Sequence, residues 1–388
     1  MRPTASRGPP MTHRALTQSP SLRLFVAFLS LAWALGFARS AAADEAEPAP
    51  AKTPYFYQGY NYGSQALYNP LWVFLNRGFD VLQDRAGSRS IFQQEYQHNG
   101  ENVLENLVNP IPSITARGWG RFLREEIFPL SYTKNSARWV PNYTLHLVGG
   151  GMTYTMLAEW YEAHGVPGPH WFSAATLLTT AVLNETLENK GVVGHNTDAI
   201  ADFFFFDIGG ILLFSFDWPN EFFSKTLIVA DWSLQPAFTY PNFDLHNQGN
   251  YFSVKYPLPL YPKLRLFAYM GLGTLFGLSQ QVDSQYSISG GVGTMASRLI
   301  STSNTNADND VAFAKSVGLF VDRNNSLLAS VQLTNVQDYF FHFNIYPNAF
   351  ATPELGLFGV VDKTGHFVFG VSFAHALGFG AGIGTLGG

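Results

Sequence analysis

The chain has 388 residues, of which only 13% are charged and 15% aromatic, with 36 glycines and no cysteine. Soluble globular proteins average about 25% charged residues, so much of this surface is predicted to face something other than water. The lack of cysteine excludes disulfides, thiolate metal sites, cysteine nucleophiles and a lipoprotein anchor.

Residues 1–43 are typical of an export signal. Arg14 and Arg23 precede the apolar run from Leu24 to Ala38, and three alanines at 41–43 offer a cleavage site. An uncleaved membrane anchor is the alternative, which the shortness of the run disfavours. Cleavage would leave 18 basic against 28 acidic residues, a net charge of about −10, which argues against nucleic acid as a partner.

Residues 44–68 are predicted to form a lead-in to the first helix. Asp44 to Thr53 are rich in alanine, proline and glutamate, a composition typical of disorder. The aromatic residues that follow could pack against the C-terminal half or lie at a membrane interface, and they are Tyr55, Phe56, Tyr57, Tyr60 and Tyr62.

Residues 69–224 are predicted to form a helical domain. Asn69-Pro70 starts a helix with an apolar stripe, which either lies on a membrane surface or, as we prefer, packs on its neighbours. Three longer apolar helices are predicted from Asn142 to His164, from Phe172 to Lys190 and from Asn196 to Pro219. They are expected to bury one another.

Residues 232–388 alternate with period two and are rich in aromatic residues and glycine. From Tyr339 to Tyr346, for example, Phe341 and Phe343 fall on one face and His342 and Asn344 on the other. The fold class is therefore predicted to be α+β, a helical domain followed by an antiparallel β-barrel of 8–10 strands embedded in a membrane. A soluble β-sandwich or half-barrel that wraps the helices is the alternative.

Five polar residues of the apolar helices are the candidates for catalysis: His146, Glu185, Glu188, Asp198 and Asp202. A histidine and carboxylates in a low-dielectric pocket could act as acid and base or bind a divalent metal. The metal ligands would be His146, Glu188, Asp198 and Asp202, and no other cofactor is predicted. Alternatively, these residues are paired buried groups that fix the register of the helices.

Other polar residues of these helices are assigned no role. Asp207 is predicted to point away from the candidate pocket, and Glu159, Glu162 and His164 to lie on a solvated helix end. The three glycines at 149–151 cost about 1 kcal/mol each in a helix, which makes sense if another helix or a ligand approaches closely there.

The order of these residues supports a family resemblance. A histidine lies early in one helix (His146), glutamates late in the next (Glu185 or Glu188), and Thr197-Asp198 leads into an apolar helix with Asp202 and Gly209 or Gly210. In this respect residues 142–215 resemble VanZ-like and YfiM-like bacterial envelope proteins. Those families usually carry asparagine where this chain has Asp202. The resemblance implies an envelope helical module without a defined reaction.

Together these features predict an outer-membrane protein with a periplasmic helical portion. Its role would be structural, or the binding or transport of an apolar envelope molecule, with membrane lipid and lipopolysaccharide or another apolar ligand as partners. The alternative is an envelope hydrolase that acts on lipid or lipopolysaccharide through the histidine–carboxylate pocket. No G-x-S-x-G, H-E-x-x-H or Walker sequence is present.

Overall fold

A computed structural model describes residues 53–84, 88–129, 140–189, 191, 193–301, 309–336, 339–349, 354–374 and 378–386. The predicted export signal (1–43) and residues 44–52 of the predicted lead-in lie outside the described residues. Helices occupy the described chain up to residue 226, and strands begin at residue 230.

Within the residues that the structure describes, eight continuous helical stretches follow a 3₁₀ turn at Gly63–Leu67, and several contain π-helical turns. They are α1 (Pro70–Gly78), α2 (Tyr96–Val108), α3 (Pro110–Arg117), α4 (Trp119–Phe122, continued by π-helical Leu123–Ile127), α5 (π-helical Val140–Gly150, then Gly151–Ala163), α6 (Pro169–Glu188), α7 (Thr197–Ala201, π-helical Asp202–Asp207, then Ile208–Phe214) and α8 (Asp217–Glu221, then π-helical Phe222–Thr226). A second 3₁₀ turn, Asp80–Asp84, lies between α1 and α2.

Local sequence explains where these helices begin and which face they bury. The Asn69 side chain accepts hydrogen bonds from the Leu71 and Trp72 amides, each 2.9 Å long, and Asn196 caps α7 in the same way. Leu75 and Trp72 on α1 are buried, so this helix packs on its neighbours, as preferred above.

The helices provide no clear membrane span. Within the described ranges, no single helix combines the length and apolar character needed to cross a membrane. One pair, Thr197–Phe214 with Asp217–Thr226, reaches that length and composition jointly, but the two parts are bent by 88°.

Thirteen strands of the described chain form one sheet, so the α+β class is confirmed. They are β1 (Ala230–Asp231), β2 (Ala237–Tyr240), β3 (Asp244–His246), β4 (Phe252–Leu258), β5 (Tyr261–Met270), β6 (Gly273–Gln281), β7 (Tyr286–Ser301), β8 (Asn309–Arg323), β9 (Ser326–Thr334), β10 (Phe341–Ile345), β11 (Leu355–Val361), β12 (Phe367–Phe373) and β13 (Gly380–Gly384).

The sheet departs from the predicted barrel in three respects. It contains 13 strands rather than 8–10, because three short strands precede the ten consecutive antiparallel strands β4 to β13. One neighbouring pair, β13 with β2, is parallel. The strand order runs from β1 to β3 as an open sheet, so closure into a barrel is not confirmed.

Residues 230–240 contact both ends of the ten-strand meander. At one end β1 pairs with β4, and the Trp232 amide donates to the Tyr251 carbonyl at 2.8 Å. At the other end β2 pairs with β13, and the Gly380 amide donates to the Pro236 carbonyl at 2.8 Å. Five residues, 232–236, therefore separate the end of β1, which pairs with the first meander strand, from the start of β2, which pairs with the last.

Buried polar contacts join the helices to the sheet. The Gly249 amide donates to Asn76 Oδ1 at 2.8 Å, and the Asn250 amide donates to Asp80 Oδ1 at 2.8 Å. A Cβ on Gly63 would lie 2.8 Å from the Leu327 carbonyl, so the first helical turn approaches β9 closely. The helices are thus fixed against the sheet.

Candidate functional site

The candidate site forms where two π-helical segments face each other. His146 lies in the π-helical part of α5 and Asp202 begins that of α7, while Glu185 lies near the end of α6. π-helical turns are rare and frequently occur at functional sites. They occur on two of the three contributing helices, and also in α4 and α8.

Three of the predicted residues come together in space. One ligand atom each of His146, Glu185 and Asp202 lies within 4.8 Å of the other two. His146 Nε2 is 3.8 Å from Asp202 Oδ2. Glu185 and Asp202 are buried, and the His146 side chain is 13% exposed.

The electrostatics of this trio are unusual. Burial, reinforced by neighbouring carboxylates, raises the pKa of Glu185 and that of Asp202 well above their ordinary values. Glu185 Oε1 and Asp202 Oδ1 are buried without a hydrogen-bond partner. An unsatisfied buried oxygen costs about 1–3 kcal/mol, so one on each of these two neighbouring carboxyl groups requires an explanation.

Glu188 and Asp198, also predicted as ligands, lie at the edge of the trio. Glu188 Oε1 accepts a hydrogen bond from Asn184 Nδ2 at 3.0 Å, and Asp198 occupies the first turn of α7. Both contribute to the raised pKa of Glu185. The geometric group of three contains Glu185, which the predicted metal set omitted, instead of these two residues.

The prediction that Asp207 points away from the pocket is wrong. Both its carboxylate oxygens lie 3.3 Å from His146 Nδ1, and Oδ1 accepts a hydrogen bond from Arg77 Nη2 at 2.6 Å. In an α-helix, residues 202 and 207 would point about 140° apart. The π-helical segment from Asp202 to Asp207 bonds i to i+5 and therefore brings both aspartates toward His146.

Arg77 holds the Asp207 carboxylate and is not among the residues predicted from the sequence. Burial disfavours the charge of Asp207, but the charges and hydrogen bonds of His146 and Arg77 prevail, so its pKa is lowered. Arg77 Nη1 also donates to the Leu145 carbonyl at 3.1 Å. Arg77 is the single charged residue of α1, and this was the signal available in the sequence.

A row of asparagines on α2 fixes the loop between α6 and α7. The side-chain oxygens of Asn99, Asn102 and Asn106 accept hydrogen bonds from the amides of Gly191, Gly194 and Asn196 at 2.8–3.0 Å. Because these asparagines lie on one face of α2, the loop is held along the helix. This arrangement, missed in the sequence, sets Glu185 relative to Asp202.

The glycine prediction is confirmed. A Cβ on Gly151 would lie 2.8 Å from the Gly210 carbonyl, and one on Gly210 would lie 2.5 Å from the Leu147 carbonyl. A Cβ on Gly150 would lie 3.2 Å from Arg77 Nη2 and 3.3 Å from Asp207 Oδ1. The glycines therefore permit the close crossing of α5 and α7 that brings His146 to the aspartates.

Glu159 is not on a solvated helix end, so that prediction is wrong, whereas Glu162 and His164 are exposed as predicted. The Glu159 carboxylate accepts hydrogen bonds from the amides of Tyr55, Phe56 and Tyr57 at 2.5, 3.0 and 2.7 Å. It anchors the aromatic lead-in on α5, away from the candidate site.

The outer face of the sheet is the second candidate functional surface. Strand register aligns outward side chains into three lateral rows without a charged residue. The middle row is Tyr256, Leu266, Leu278, Gly290, Leu319, Val331, Phe343, Gly359, Phe369, Ile383 and Tyr240. The flanking rows are Val254, Ala268, Phe276, Val292, Val317, Leu333, Phe341, Val361 and Phe367 on one side, and Gln280, Ile288, Val321, Ala329, Ile345, Leu357, Val371, Ala381 and Phe238 on the other.

The inner face, unlike the outer rows, includes buried charged and polar side chains. Its buried residues include Lys255, Ser279, Ser289, Asp322, Ser330, Gln332, His342 and Asn344. Lys255 Nζ donates to Asp322 Oδ1 at 2.5 Å, and His342 Nε2 lies 3.0 Å from Asn344 Nδ2. Large apolar residues of the outer rows are exposed, for example Leu319 at 60% and Ile383 at 66%. The sheet is therefore uncharged and largely apolar outside, whereas inside these polar groups lie among buried Phe267, Tyr269, Leu275 and Phe320.

No family model, curated protein or solved structure matches the chain. The resemblance of residues 142–215 to VanZ-like and YfiM-like proteins stays a prediction.

Proposed function

We propose that this chain is an outer-membrane protein whose sheet lies in lipid and whose helical domain lies in the periplasm. The observation that carries the proposal is the set of three uncharged, exposed outward rows over an interior that contains buried charged and polar groups. A soluble sandwich buries its apolar face and hydrates its polar face. A transmembrane sheet does the reverse.

The width of the apolar surface fits a bilayer. Along β8, the outward residues Val317, Leu319 and Val321 lie between the charged Lys315 and Arg323. That separation corresponds to about 27 Å along the strand, or about 21 Å along the membrane normal at a tilt of about 40°. The apolar band of known outer-membrane barrels is about 25 Å tall.

The proposal includes closure of the sheet into a barrel. An open sheet edge does not occur in the hydrocarbon region, because its amides and carbonyls would lack partners. Support comes from residues 230–240, which bond to β4 near Trp232 and to β13 near Pro236. In the closed form this segment would bridge the first and last strands of the meander.

An interior filled by side chains favours a structural or binding role over an open pore. Gln235 inside the sheet contacts Asn344 Oδ1 at 3.1 Å, and the ammonium of Lys255 lies 4.8 Å from the Trp232 ring. Such networks fill the interior of small barrels. The partners would then be membrane lipid and an apolar envelope molecule, such as lipopolysaccharide, at the outer rows.

The test is to fractionate the envelope of bacteria that make the chain and to run unheated and heated samples on gels. We expect the protein in the outer-membrane fraction and a different migration before and after boiling, since closed membrane barrels resist detergent at room temperature. Recovery in the soluble fraction without detergent, or identical migration of both samples, would contradict the proposal.

A second candidate function is an envelope hydrolase that acts on lipid or lipopolysaccharide. It is favoured by His146, whose Nδ1 faces Asp207 and whose Nε2 faces Asp202, an arrangement suited to a general base oriented by a carboxylate. Purified protein incubated with phospholipid or lipopolysaccharide should release fatty acid or a headgroup, and H146A should not. Release at equal rates by both proteins would eliminate this candidate.

A further inference from the structure

We propose that His146, Glu185 and Asp202 bind one divalent transition-metal cation in the helical domain. The inference is independent of the membrane location proposed above. It concerns the ion that the site binds, and it gives that ion one nitrogen and two carboxylate ligands.

The first argument is the state of the carboxylates. Glu185 and Asp202 are 3% and 5% exposed, yet Glu185 Oε1 and Asp202 Oδ1 lack any hydrogen-bond partner. Buried acids in stable proteins are hydrogen-bonded, ion-paired or bound to metal. The two carboxyl groups come from different helices, and one oxygen of each lies within 4.8 Å of the other and of a ring nitrogen of His146, where a cation would bind both groups.

The second argument is the spacing. Because the three ligand atoms lie within 4.8 Å of one another, a cation at their centre would be at most about 2.8 Å from each. Protein zinc–nitrogen and zinc–oxygen distances are about 2.0–2.2 Å. Side-chain movements of less than about 1 Å would therefore close the site around the ion.

The third argument is the orientation of the imidazole. A metal-bound histidine usually donates its other ring N–H to a carboxylate, which fixes the tautomer. His146 Nδ1 lies 3.3 Å from Asp207, which is itself held by Arg77 at 2.6 Å. With Nδ1 occupied in this way, Nε2 remains for the cation on the side of Asp202.

The ligand set selects the class of ion. Imidazole suits zinc, iron, nickel and copper, whereas carboxylate also suits manganese. Calcium requires six to eight oxygens, more than the trio provides. Two carboxylates balance the charge of one divalent ion, so Zn²⁺ and Mn²⁺ are the appropriate probes.

The experiment uses the full chain, purified in detergent and dialysed against a chelator. Titration with ZnSO₄ by calorimetry, and with MnCl₂ by electron paramagnetic resonance, should show one equivalent bound. E185Q and D202N keep the shape of the side chains and remove the charge, and each should weaken binding at least tenfold. E162Q, which changes an exposed glutamate on α5, is the matched control and should bind as the wild type does.

The wild-type chain provides a readout that does not depend on how the variants fold. Pulsed electron paramagnetic resonance of the Mn²⁺-loaded protein should show coupling to the ¹⁴N of one imidazole, and H146A should lack it. The proposal is overturned if the wild type binds neither ion more tightly than about 1 mM, if that coupling is absent, or if folded E185Q and D202N bind like E162Q.

Discussion

Replacing Leu319 by arginine tests whether the outer face of the sheet lies in lipid or in water. Leu319 is 60% exposed in the middle row and pairs with Gly290 on β7 and Val331 on β9. The side chain points outward, so arginine at this position would not disturb the packed interior.

Water and lipid predict different changes in the free energy of unfolding for L319R. In water, a substitution at so exposed a position changes the free energy of unfolding by about 0.5 kcal/mol or less. On the lipid face of a membrane barrel, arginine near the midplane costs about 2–4 kcal/mol, and about 0–1 kcal/mol near the interface. We therefore expect L319R to be destabilised by about 2–4 kcal/mol.

The assay is reversible urea unfolding in phospholipid vesicles, followed by tryptophan fluorescence. The control is V282R, because Val282 is 55% exposed in the turn between β6 and β7, outside the apolar rows. V282R should change the free energy of unfolding by at most about 1 kcal/mol. If L319R is as stable as V282R in vesicles, the outer rows do not face lipid.

Three further predictions concern buried and turn carboxylates. D207N leaves the Arg77 guanidinium buried without its anionic partner, so it should lose about 3–5 kcal/mol of stability in denaturant unfolding, and a loss below about 1 kcal/mol would show that the pair is not formed. E159Q removes one of the acceptors for the lead-in amides, so it should cost about 1.5–3 kcal/mol and expose residues 53–62 to limited proteolysis, while E162Q should leave both unchanged. In the turn after β11, burial opposes the charge of Asp362, but hydrogen bonds from Thr364 and His366 prevail and hold its pKa at about 2. This folded pKa is below the unfolded value of about 3.9, so the contribution of Asp362 to stability is present above pH 4 and is lost as the pH falls toward 2. The difference in the free energy of unfolding between wild type and D362N should therefore shrink over that range. A constant difference would contradict the assignment.

The sequence alone located most of the secondary structure, because its signals are local. Asn69 and Asn196 cap the helices that they were predicted to start. The alternation predicted from Tyr339 to Tyr346 reappears as half-buried Phe341 and Phe343 beside buried His342 and Asn344. Hydrophobic period and capping chemistry act within a few residues, so they can be read without the fold.

The sequence predicted the residue types of the candidate site but only part of its membership. His146, Glu185 and Asp202 are all among the predicted candidates, whereas Asp207 is predicted to point away and Arg77 is not predicted. An α-helical projection places Asp207 away from Asp202, and only the π-helical turn between them reverses that. Such a turn leaves no reliable mark in the sequence.

Pairing between distant segments was decided by tertiary structure alone. The parallel contact of β2 with β13 joins residues more than a hundred positions apart, and the periodicity of the sequence does not predict it. The same holds for Glu159, whose partners Tyr55, Phe56 and Tyr57 come from another part of the chain. The periodicity of apolar residues determines which face of each helix or strand is buried. The element that covers this face depends on how all the segments pack together.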